Sequence, residues 1–416
     1  MNRKQLILLL AALVVLGGAG LVLRHRNQES WDSSGGKLGQ KVLPNFQVND
    51  VASIHIKGAA GLDLDLVKKD DRWRVRERND YPANFSEISD LLFNMRDLKI
   101  VQAEPIASSQ LGRMHLEKPD SGPDSATLIE FNDAQGRVLQ SLLLGKKHTR
   151  KSGRPSRMQF GDEEMPDGRF VMLKSDPHEV LTVTDPLNSV DPKPAGWLDK
   201  DFFKVEKPKS ISFTSTNAAD SWSLTRDSEA GPWVLSNIKT NEALDSNKVS
   251  SLSSTLSYPS FVDVAADPAP GRTGLDKPLV VAIATFDHFT YTLIIGSKTL
   301  ENDYNLNVAV SADFPTERTP GRDEKPDDKK KLDKEFQDRL KPLQDKLRQE
   351  KSLGNWTYLV NNWLIDPLIR ARAQLMVEKN DGKKDGQKQP AAAPETMPGE
   401  QPDAGVTFPS ADPNDP

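Results

Sequence analysis

The sequence repeats itself once, and this repeat limits the possible folds more than any other feature. "SLLLGKKH" in the first half matches "TLIIGSKT" in the second, which places Gly145 opposite Gly296. "LEKP" at Leu116 and "LDKP" at Leu275 precede these segments in the same order. Two copies do not make a solenoid array, and a unit of about 150 residues is large enough to bury its own core. The sequence therefore predicts two similar units.

The residue pattern inside the first unit predicts a sheet with a packed helix. Leu62, Leu64 and Leu66 alternate with aspartates, which is the two-residue period of a strand. Further on, "NFSEISDLLFNMRDL" changes to the helical period, with Asn84 and Glu87 as a capping box. The apolar face of this helix is predicted to consist of Phe85, Ile88, Leu91, Leu92 and Met95.

The predicted fold class is α+β, with two similar units of mainly antiparallel sheet and packed helices, plus one N-terminal transmembrane helix. The predicted boundaries are residues 45–190 for the first unit, 191–202 for the connection and 203–370 for the second unit.

The N-terminus carries the candidate membrane segment. Leu6 to Leu23 contains no charged residue and, at 1.5 Å per residue, would be about 27 Å long as a helix, close to the thickness of a bilayer core. A cleaved signal peptide is the alternative, but the apolar run continues to Arg24 and exceeds a usual signal core. We expect an uncleaved anchor in residues 1–26 and a linker in 27–44. Basic residues before the anchor favour an orientation with the bulk of the chain periplasmic.

Two segments depart from the repeat. Residues 312–352 form a charged insert with a helical apolar stripe of the kind found in coiled coils, interrupted by Pro342. This stripe either binds a partner helix or folds back on its own unit. Residues 379–416 are rich in proline and poor in core-forming residues, so we expect a disordered tail. The stripe consists of Leu332, Phe336, Leu340, Leu343 and Leu347.

The Gly-Lys pair at the end of "SLLLGKK" is not a nucleotide-binding loop. Such a loop needs a second glycine five residues earlier, where this chain has Gln140 and, in the second copy, Tyr291. No amphipathic helix opens after either lysine. We therefore predict that Gly145 and Gly296 adopt unusual backbone angles at the end of a strand.

The remaining sequence argues against several kinds of chemistry. The chain has no cysteine, which excludes disulfides, thiolate zinc sites and a cysteine nucleophile. A net charge of −5 disfavours nucleic-acid binding. His55 is interpreted as an ordinary sheet residue, and Asp63 with Asp65 as the solvated side of an edge-like strand rather than a cation pair. We expect no cofactor, no metal and no enzyme activity.

The densest basic stretch follows Gly145. Its side chains either meet anionic headgroups or an acidic partner, or form a solvated hairpin loop. The second copy, "GSKTLEND", lacks these charges. The basic residues are Lys146, Lys147, Arg150, Lys151, Arg154 and Arg157.

Several of these elements together resemble a known family. A short anchor is followed by "VASIHI", by "RWRV" with Trp73, by Tyr81-Pro82 before the helix, and then by "LEKP" and "LLLGKK". This succession resembles the bacterial domain-of-unknown-function family 4340, closely over residues 45–190 and more loosely over the second unit. The resemblance implies a membrane-anchored envelope protein. Some members are encoded with, or fused to, gliding-motility-type auxiliary components of ABC transporters. The family has no assigned catalytic residues.

These observations lead to two functional hypotheses of different kinds. The first is a non-enzymatic protein of the cytoplasmic membrane, single-pass and mainly periplasmic, that makes protein–protein contacts as an accessory to an ABC-type transport system. The second is an extracytoplasmic binding module for an envelope polysaccharide or anionic polymer. An enzyme remains a third hypothesis, since catalytic groups can meet from distant positions in a chain.

Overall fold

The computed structural model describes residues 37–151, 164–320 and 324–377. Its strands form two mainly antiparallel sheets accompanied by few helices, which confirms the predicted α+β class. The proposed anchor, Leu6–Leu23, and the proposed tail, 379–416, lie outside the described residues. Among the residues that are described, no helix is both long and apolar enough to span a bilayer. The transmembrane helix is thus a prediction from sequence alone.

The first sheet has nine strands in the order β4-β3-β2-β1-β6-β7-β8-β9-β5. Ile54 and Ile56 on β1 face Leu64 and Leu66 on β2, and all four are buried on the same face. Their neighbours along each strand point to the other face, as the strand period requires. The strands are β1 Ser53–Lys57, β2 Asp63–Lys69, β3 Arg72–Val75, β4 Tyr81–Pro82, β5 Ile100–Pro105, β6 Thr127–Asn132, β7 Val138–Lys151, β8 Glu164–Leu173 and β9 Glu179–Val183.

Helix α1, Phe85–Asp97, covers the apolar face of this sheet. The Asn84 side chain accepts hydrogen bonds from the backbone N–H groups of Ser86 and Glu87, as predicted for its N-cap. The backbone N–H of Asn84 donates to the Trp197 carbonyl instead of to Glu87, so a distant segment replaces half of the predicted capping box. Phe85, predicted on the buried face, is 66% exposed.

The second sheet has eight strands in the order β12-β11-β10-β14-β15-β16-β17-β13. Its strands are β10 Pro208–Thr214, β11 Trp222–Thr225, β12 Val234–Leu235, β13 Asp263–Val264, β14 Leu279–Thr285, β15 Phe289–Lys298, β16 Tyr304–Ala312 and β17 Tyr358–Val360. The helices of this part are α2 Ser246–Ser257, α3 Pro270–Thr273, α4 Pro326–Lys351 and α5 Asn362–Ile365.

The two sheets share a strand order. Strands β1, β2 and β3 hold the positions that β10, β11 and β12 hold in the second sheet, and β6-β7-β8-β9-β5 correspond to β14-β15-β16-β17-β13. His115 and Gly274, just before the repeated "LEKP" and "LDKP", are both left-handed. We call the described residues up to 199 the first half and those from 200 to 377 the second half. The exact unit boundaries stay a prediction.

The repeated glycines have a different role from the one predicted. Gly145 and Gly296 do not adopt positive φ, so unusual backbone angles do not explain them. Each lies where the register of its strand shifts, and a Cβ atom would lie 2.3 Å from the Met114 carbonyl oxygen or 2.1 Å from the Thr273 carbonyl oxygen. Close approach of a second backbone segment at a bulge therefore requires glycine at both sites.

The aspartates of β2 lie on the outer face of the sheet, as predicted, but the position of their strand differs from the prediction. Strand β2 lies between β1 and β3 inside the sheet and is not an edge strand. Asp65 accepts a hydrogen bond from the His55 ring at 2.8 Å and pairs with Arg76. These residues form a polar row on the outer face of the sheet, because His55 is directly opposite both Asp65 and Glu130.

Helix α4 forms most of the predicted insert and packs on its own half. The helix begins at Pro326, whereas the predicted insert begins at residue 312, which is still the last residue of β16. Leu340 is buried, and Leu343 and Leu347 pack against the core. The main packing partners of α4 are β16 and the turn Ser352–Asn355, which directly follows the helix. The coiled-coil interpretation therefore has no support among the described residues. Pro342 lies inside the helix without dividing it. Leu332 and Phe336 are half-buried.

Glu350 fixes the end of α4 to the second sheet. Its carboxylate accepts a hydrogen bond from the Tyr291 hydroxyl at 2.8 Å and another from the Lys204 backbone N–H at 3.0 Å. The side chain is buried, and this burial raises the pKa of Glu350 above the ordinary value of 4.5, although both hydrogen bonds oppose the rise. The folded protein therefore holds the Glu350 proton more tightly than the unfolded chain does.

We expect Glu350→Gln to change how stability depends on pH. As the pH rises from 4.5 through the raised pKa, the native protein loses stability, because the unfolded chain releases this proton first. Glutamine does not ionise, so the free energy of unfolding of the variant relative to wild type should increase with pH across that window. Urea unfolding at a series of pH values measures this difference. Glu335→Gln, exposed on the same helix, should follow wild type. A difference that is constant with pH would contradict the assignment.

Candidate binding cleft between the two halves

The two halves are joined by a short polar contact. The Arg78 guanidinium donates two hydrogen bonds of 2.8 Å to the Asp263 carboxylate, and both side chains are less than one-fifth exposed. The Asn79 side-chain amide donates to the Ala265 carbonyl at 3.0 Å. Arg78 and Asn79 belong to the turn between β3 and β4, and Asp263 begins edge strand β13. The polar contact thus connects an edge of each sheet.

An aromatic cluster continues the join. The Tyr81 ring packs edge-on against Phe261, Trp356 and Tyr358, with centroid separations of 5.7, 5.0 and 6.0 Å. The Trp356 indole N–H donates to the Asn79 carbonyl at 3.1 Å. Burial is the main cause that raises the pKa of Tyr81 above its ordinary value. Aromatic pairs of this geometry add to the energy of the area they bury.

Beside the join lies a cleft of about 770 Å³ that both halves line. Trp73, Tyr81 and Phe85 come from the first half, and Trp356 comes from the second. Strand pairing positions both residues of the first sheet: Val75 is opposite Tyr81 in the ladder between β3 and β4, and Lys68 is opposite Trp73 in the ladder between β2 and β3. The exposed ring of Phe85 stands at the start of α1. The cleft therefore combines the buried rings of Trp73 and Tyr81 and the half-buried ring of Trp356 with one exposed aromatic side chain.

The polar part of the cleft carries both signs of charge. Asp71, Asp199 and Asp201 supply three carboxylates, and Arg72 and Arg348 supply two guanidinium groups. Arg348 also forms an ion pair with Asp345 on the same helix. The C-terminal end of α4 adds partial negative charge, which Arg348 offsets in the last turn. Such a balanced lining favours a ligand of mixed apolar and polar surface over a polyanion.

Hydrogen bonds within the chain hold the cleft walls in place. The Asp199 N–H donates to the Pro82 carbonyl at 3.0 Å, which ties the connection between the halves to β4. The Gln349 amide donates to the Asp201 carboxylate at 3.3 Å and links α4 to the same connection. The shape of the cleft is thus fixed by the chain's own contacts. Within residues 37–151, 164–320 and 324–377, no three acidic or histidine side chains lie close enough together to hold a metal ion.

The basic residues predicted from sequence lie elsewhere. Lys146 and Lys147 are exposed on β7, outside the cleft lining. Arg150 and Lys151 are in the same strand, but their side chains are not among those described, and Arg154 and Arg157 lie outside the described residues. His148 in this strand hydrogen-bonds Asp167 across the hairpin at 2.6 Å. The lysines that the structure describes are therefore not part of the cleft.

The family model for the domain of unknown function DUF4340 matches residues 73–278. The chain belongs to the DUF4340 family. The matched segment spans the join, since it contains Arg78, Tyr81 and Asp263, whereas Trp356 and helix α4 of this DUF4340 protein lie beyond it. No curated protein and no solved structure matches the chain.

Parts of the cleft are visible in the sequence, but their connection is not. Tyr81 lies in the family-like Tyr-Pro motif, and Trp356 lies in an apolar cluster that the sequence alone would assign to the core. The residues that join the halves are about 180 to 280 positions apart, and no repeat links them. An aromatic residue followed by proline in both halves would have been a signal, but the second half has Asn241 and Glu242 where the first has Tyr81 and Pro82.

Removing one partner of the Arg78–Asp263 pair should destabilise the join. Arg78→Met leaves the Asp263 carboxylate partly buried without its countercharge, and we expect a loss of about 2 kcal/mol, less than for a fully buried pair. The double variant Arg78→Met/Asp263→Leu should lose less than the sum of the two single variants. A double-mutant cycle by urea unfolding gives the coupling energy. Strict additivity would show that the pair does not stabilise the join.

Proposed function

We propose that this DUF4340 protein is a non-enzymatic envelope protein that makes protein–protein contacts through the cleft between its halves. The observation that carries the proposal is the lining of the cleft, in which two tryptophans, a tyrosine and a phenylalanine meet two arginines. Aromatic residues and arginine are the residue types that contribute most to binding at protein interfaces.

The exposed ring of Phe85 supports a macromolecular partner. A phenylalanine that is two-thirds exposed at the mouth of a cleft gains free energy when a partner covers it. The aromatic walls behind it are preformed, so little ordering free energy opposes binding. The mixed charges at the rim suit the polar periphery of a protein interface better than a uniformly charged polymer.

The family membership extends the proposal to a cellular setting. An accessory role beside an ABC-type transport system follows from what the family resemblance implies, together with an anchor at residues 6–23 and a periplasmic location for the rest of the chain. On this view the cleft would receive a segment of a membrane component of that system.

Site-specific photocrosslinking in intact cells tests the proposal. A benzophenone amino acid in place of Phe85 should capture a partner protein, which mass spectrometry identifies. The same amino acid in place of Phe93 is the matched control, because Phe93 is exposed on the same helix but outside the cleft, where Arg96 stacks on it. Equal capture at both positions, or capture of this chain alone, would contradict the proposal. A captured ABC-transporter component would support its narrower form.

A second candidate function rests on the exposed lysines of β7. Lys146 and Lys147 are both exposed at neighbouring positions of the chain, where two positive charges attract an anionic polymer. Co-sedimentation with an insoluble acidic polysaccharide at low salt should then fall in Lys146→Gln/Lys147→Gln. The control Lys330→Gln/Lys334→Gln removes two exposed lysines from α4 and should bind like wild type. Binding that survives the first pair of substitutions would rule out this role.

A further inference from the structure

The second half has a cavity of its own, of about 740 Å³, and none of its described lining residues belongs to the cleft between the halves. A row of three serines crosses this cavity. Ser212 on β10 is directly opposite Ser223 on β11, and the backbone N–H of Ser236 donates to the Ser223 carbonyl at 2.8 Å. The residue next to each serine is buried in the core, as Leu224 is beside Ser223, so the three hydroxyls lie on the outer face of the sheet.

The first half has long charged side chains at the same place. Counted from the buried pairs of each ladder, His55, Asp65 and Arg76 of the first sheet hold the positions of the three serines. Asp65 contacts both His55 and Arg76. Opposite His55 the first sheet has Glu130, where the second has Ala282. The first half therefore covers its outer face with its own paired side chains, whereas the short side chains of the second half leave room for a ligand.

One wall of the cavity contains an arginine with an unpaired donor. The Nη2 atom of Arg372 donates to the Asn237 carbonyl and to the Glu242 carboxylate, both at 2.8 Å, which fixes the guanidinium in place. The side chain is less than one-fifth exposed, and its Nη1 atom is buried without a hydrogen-bond partner among the described residues. A buried donor without an acceptor costs free energy. The oxygen of a bound anion would supply that acceptor and recover this cost.

The lining of the cavity matches a polyhydroxylated ligand with one negative charge. Its described charged residues are Arg372, Lys239 and Glu242, which together carry one net positive charge, and Lys239 is exposed. The serine hydroxyls and the Asn237 side-chain amide can both donate and accept hydrogen bonds, as the ring hydroxyls of a sugar do. The volume lies within the usual range for small-molecule sites.

We propose that this cavity binds a sugar acid, with its carboxylate towards Arg372 and Lys239 and its ring hydroxyls on the serine row. The ligand is either the free sugar acid or the terminal residue of a uronic-acid polymer, because both present the same ring and the same charge. This proposal is independent of what the cleft binds and of the exposed lysines of β7.

Saturation-transfer NMR titrations of the purified full-length protein test the ligand class. Galacturonate should bind, and both galactose and cyclohexanecarboxylate should bind about tenfold more weakly, because the first lacks the charge and the second lacks the hydroxyls. Tetragalacturonate separates the two sources. It should bind at least as tightly as galacturonate if the cavity accepts the end of a polymer, and should not bind if the cavity accepts only the free sugar acid. Failure of galacturonate to bind, or equal binding of galacturonate and galactose, would overturn the proposal.

Substitutions in the lining test where the ligand binds. Lys239→Gln, at an exposed position that folding does not depend on, should weaken galacturonate binding about threefold and leave galactose binding unchanged. Lys330→Gln, exposed on α4 outside the cavity, is the matched control and should bind like wild type. Ser223→Asp introduces the carboxylate of the first half and should abolish galacturonate binding, whereas Ser223→Ala should only weaken it. Galacturonate affinity that is unchanged in both Lys239→Gln and Ser223→Asp would place the ligand elsewhere and overturn the assignment.

Discussion

Replacing Gly296 with alanine should lower the free energy of unfolding by about 3 kcal/mol, at the upper end of the usual cost of overpacking a core. The added Cβ atom would lie 2.1 Å from the carbonyl oxygen of Thr273 and 3.1 Å from its carbonyl carbon. Both atoms belong to backbone, and Thr273 is buried, so no flexible side chain can yield. Urea unfolding of the purified variant measures the loss.

Gly271→Ala is the matched control for Gly296→Ala. Gly271 is in helix α3, two residues before Thr273, and nothing lies within 4 Å of the position that an added Cβ atom would take. Alanine there should be neutral or stabilise by about 0.5 kcal/mol, because glycine is a poor helix residue. Gly145→Ala should resemble Gly296→Ala, since the Met114 carbonyl oxygen lies 2.3 Å from its Cβ position. Equal stability of Gly296→Ala and Gly271→Ala would show that the backbone contact does not require glycine.

The two glycines illustrate what the repeat can and cannot reveal. Comparison of the two halves identifies Gly145 and Gly296 as equivalent, because a repeated residue at a repeated place is visible in the sequence. The cause is not visible, since the opposing carbonyls belong to residues 31 and 23 positions earlier in the chain, Met114 and Thr273. The local sequence pattern suggests unusual backbone angles, whereas a tertiary contact is the actual explanation.

In the strands and in helix α1 too, the sequence predicts local features and misses those that depend on tertiary contacts. Alternation predicts β2 correctly because the strand period is local, but its internal position depends on pairing with β1 and β3. Helical spacing places four of the five predicted residues of α1 on the buried face. It fails at Phe85, which lies in the first turn of the helix and is exposed.

The join between the halves is the part least accessible from sequence. A repeat shows what two halves have in common, whereas a join between unlike edges depends on residues in which they differ. Arg78 and Asn79 at the join have Ile238 and Lys239 as their counterparts, so neither appears in the repeated pattern. The cleft lies at this join, and for that reason it could not be predicted as a site.

Tyr81→Ala should be the most disruptive single change at the join. Tyr81 is buried, and its ring contacts three other aromatic rings, all of which belong to the second half. Removing an aromatic ring of this kind should cost about 4 kcal/mol through lost burial and the cavity left behind. Tyr81→Phe keeps the ring and should retain most of that stability. Urea unfolding gives both values.

Besides lowering the free energy of unfolding, Tyr81→Ala should change how the two halves unfold. In wild type, hydrogen exchange of the backbone amides in β1 and β14 should report the same free energy of opening, because the two halves share a continuous core. Tyr81→Ala weakens that connection, so the two strands should acquire different free energies of exchange. Phe131→Ala, a buried aromatic of the first sheet away from the join, is the control. Phe131→Ala should lower the free energy of unfolding by a similar amount, but β1 and β14 should keep one common free energy of exchange. If Tyr81→Ala lowered both values equally, the aromatic cluster would contribute stability without coupling the halves.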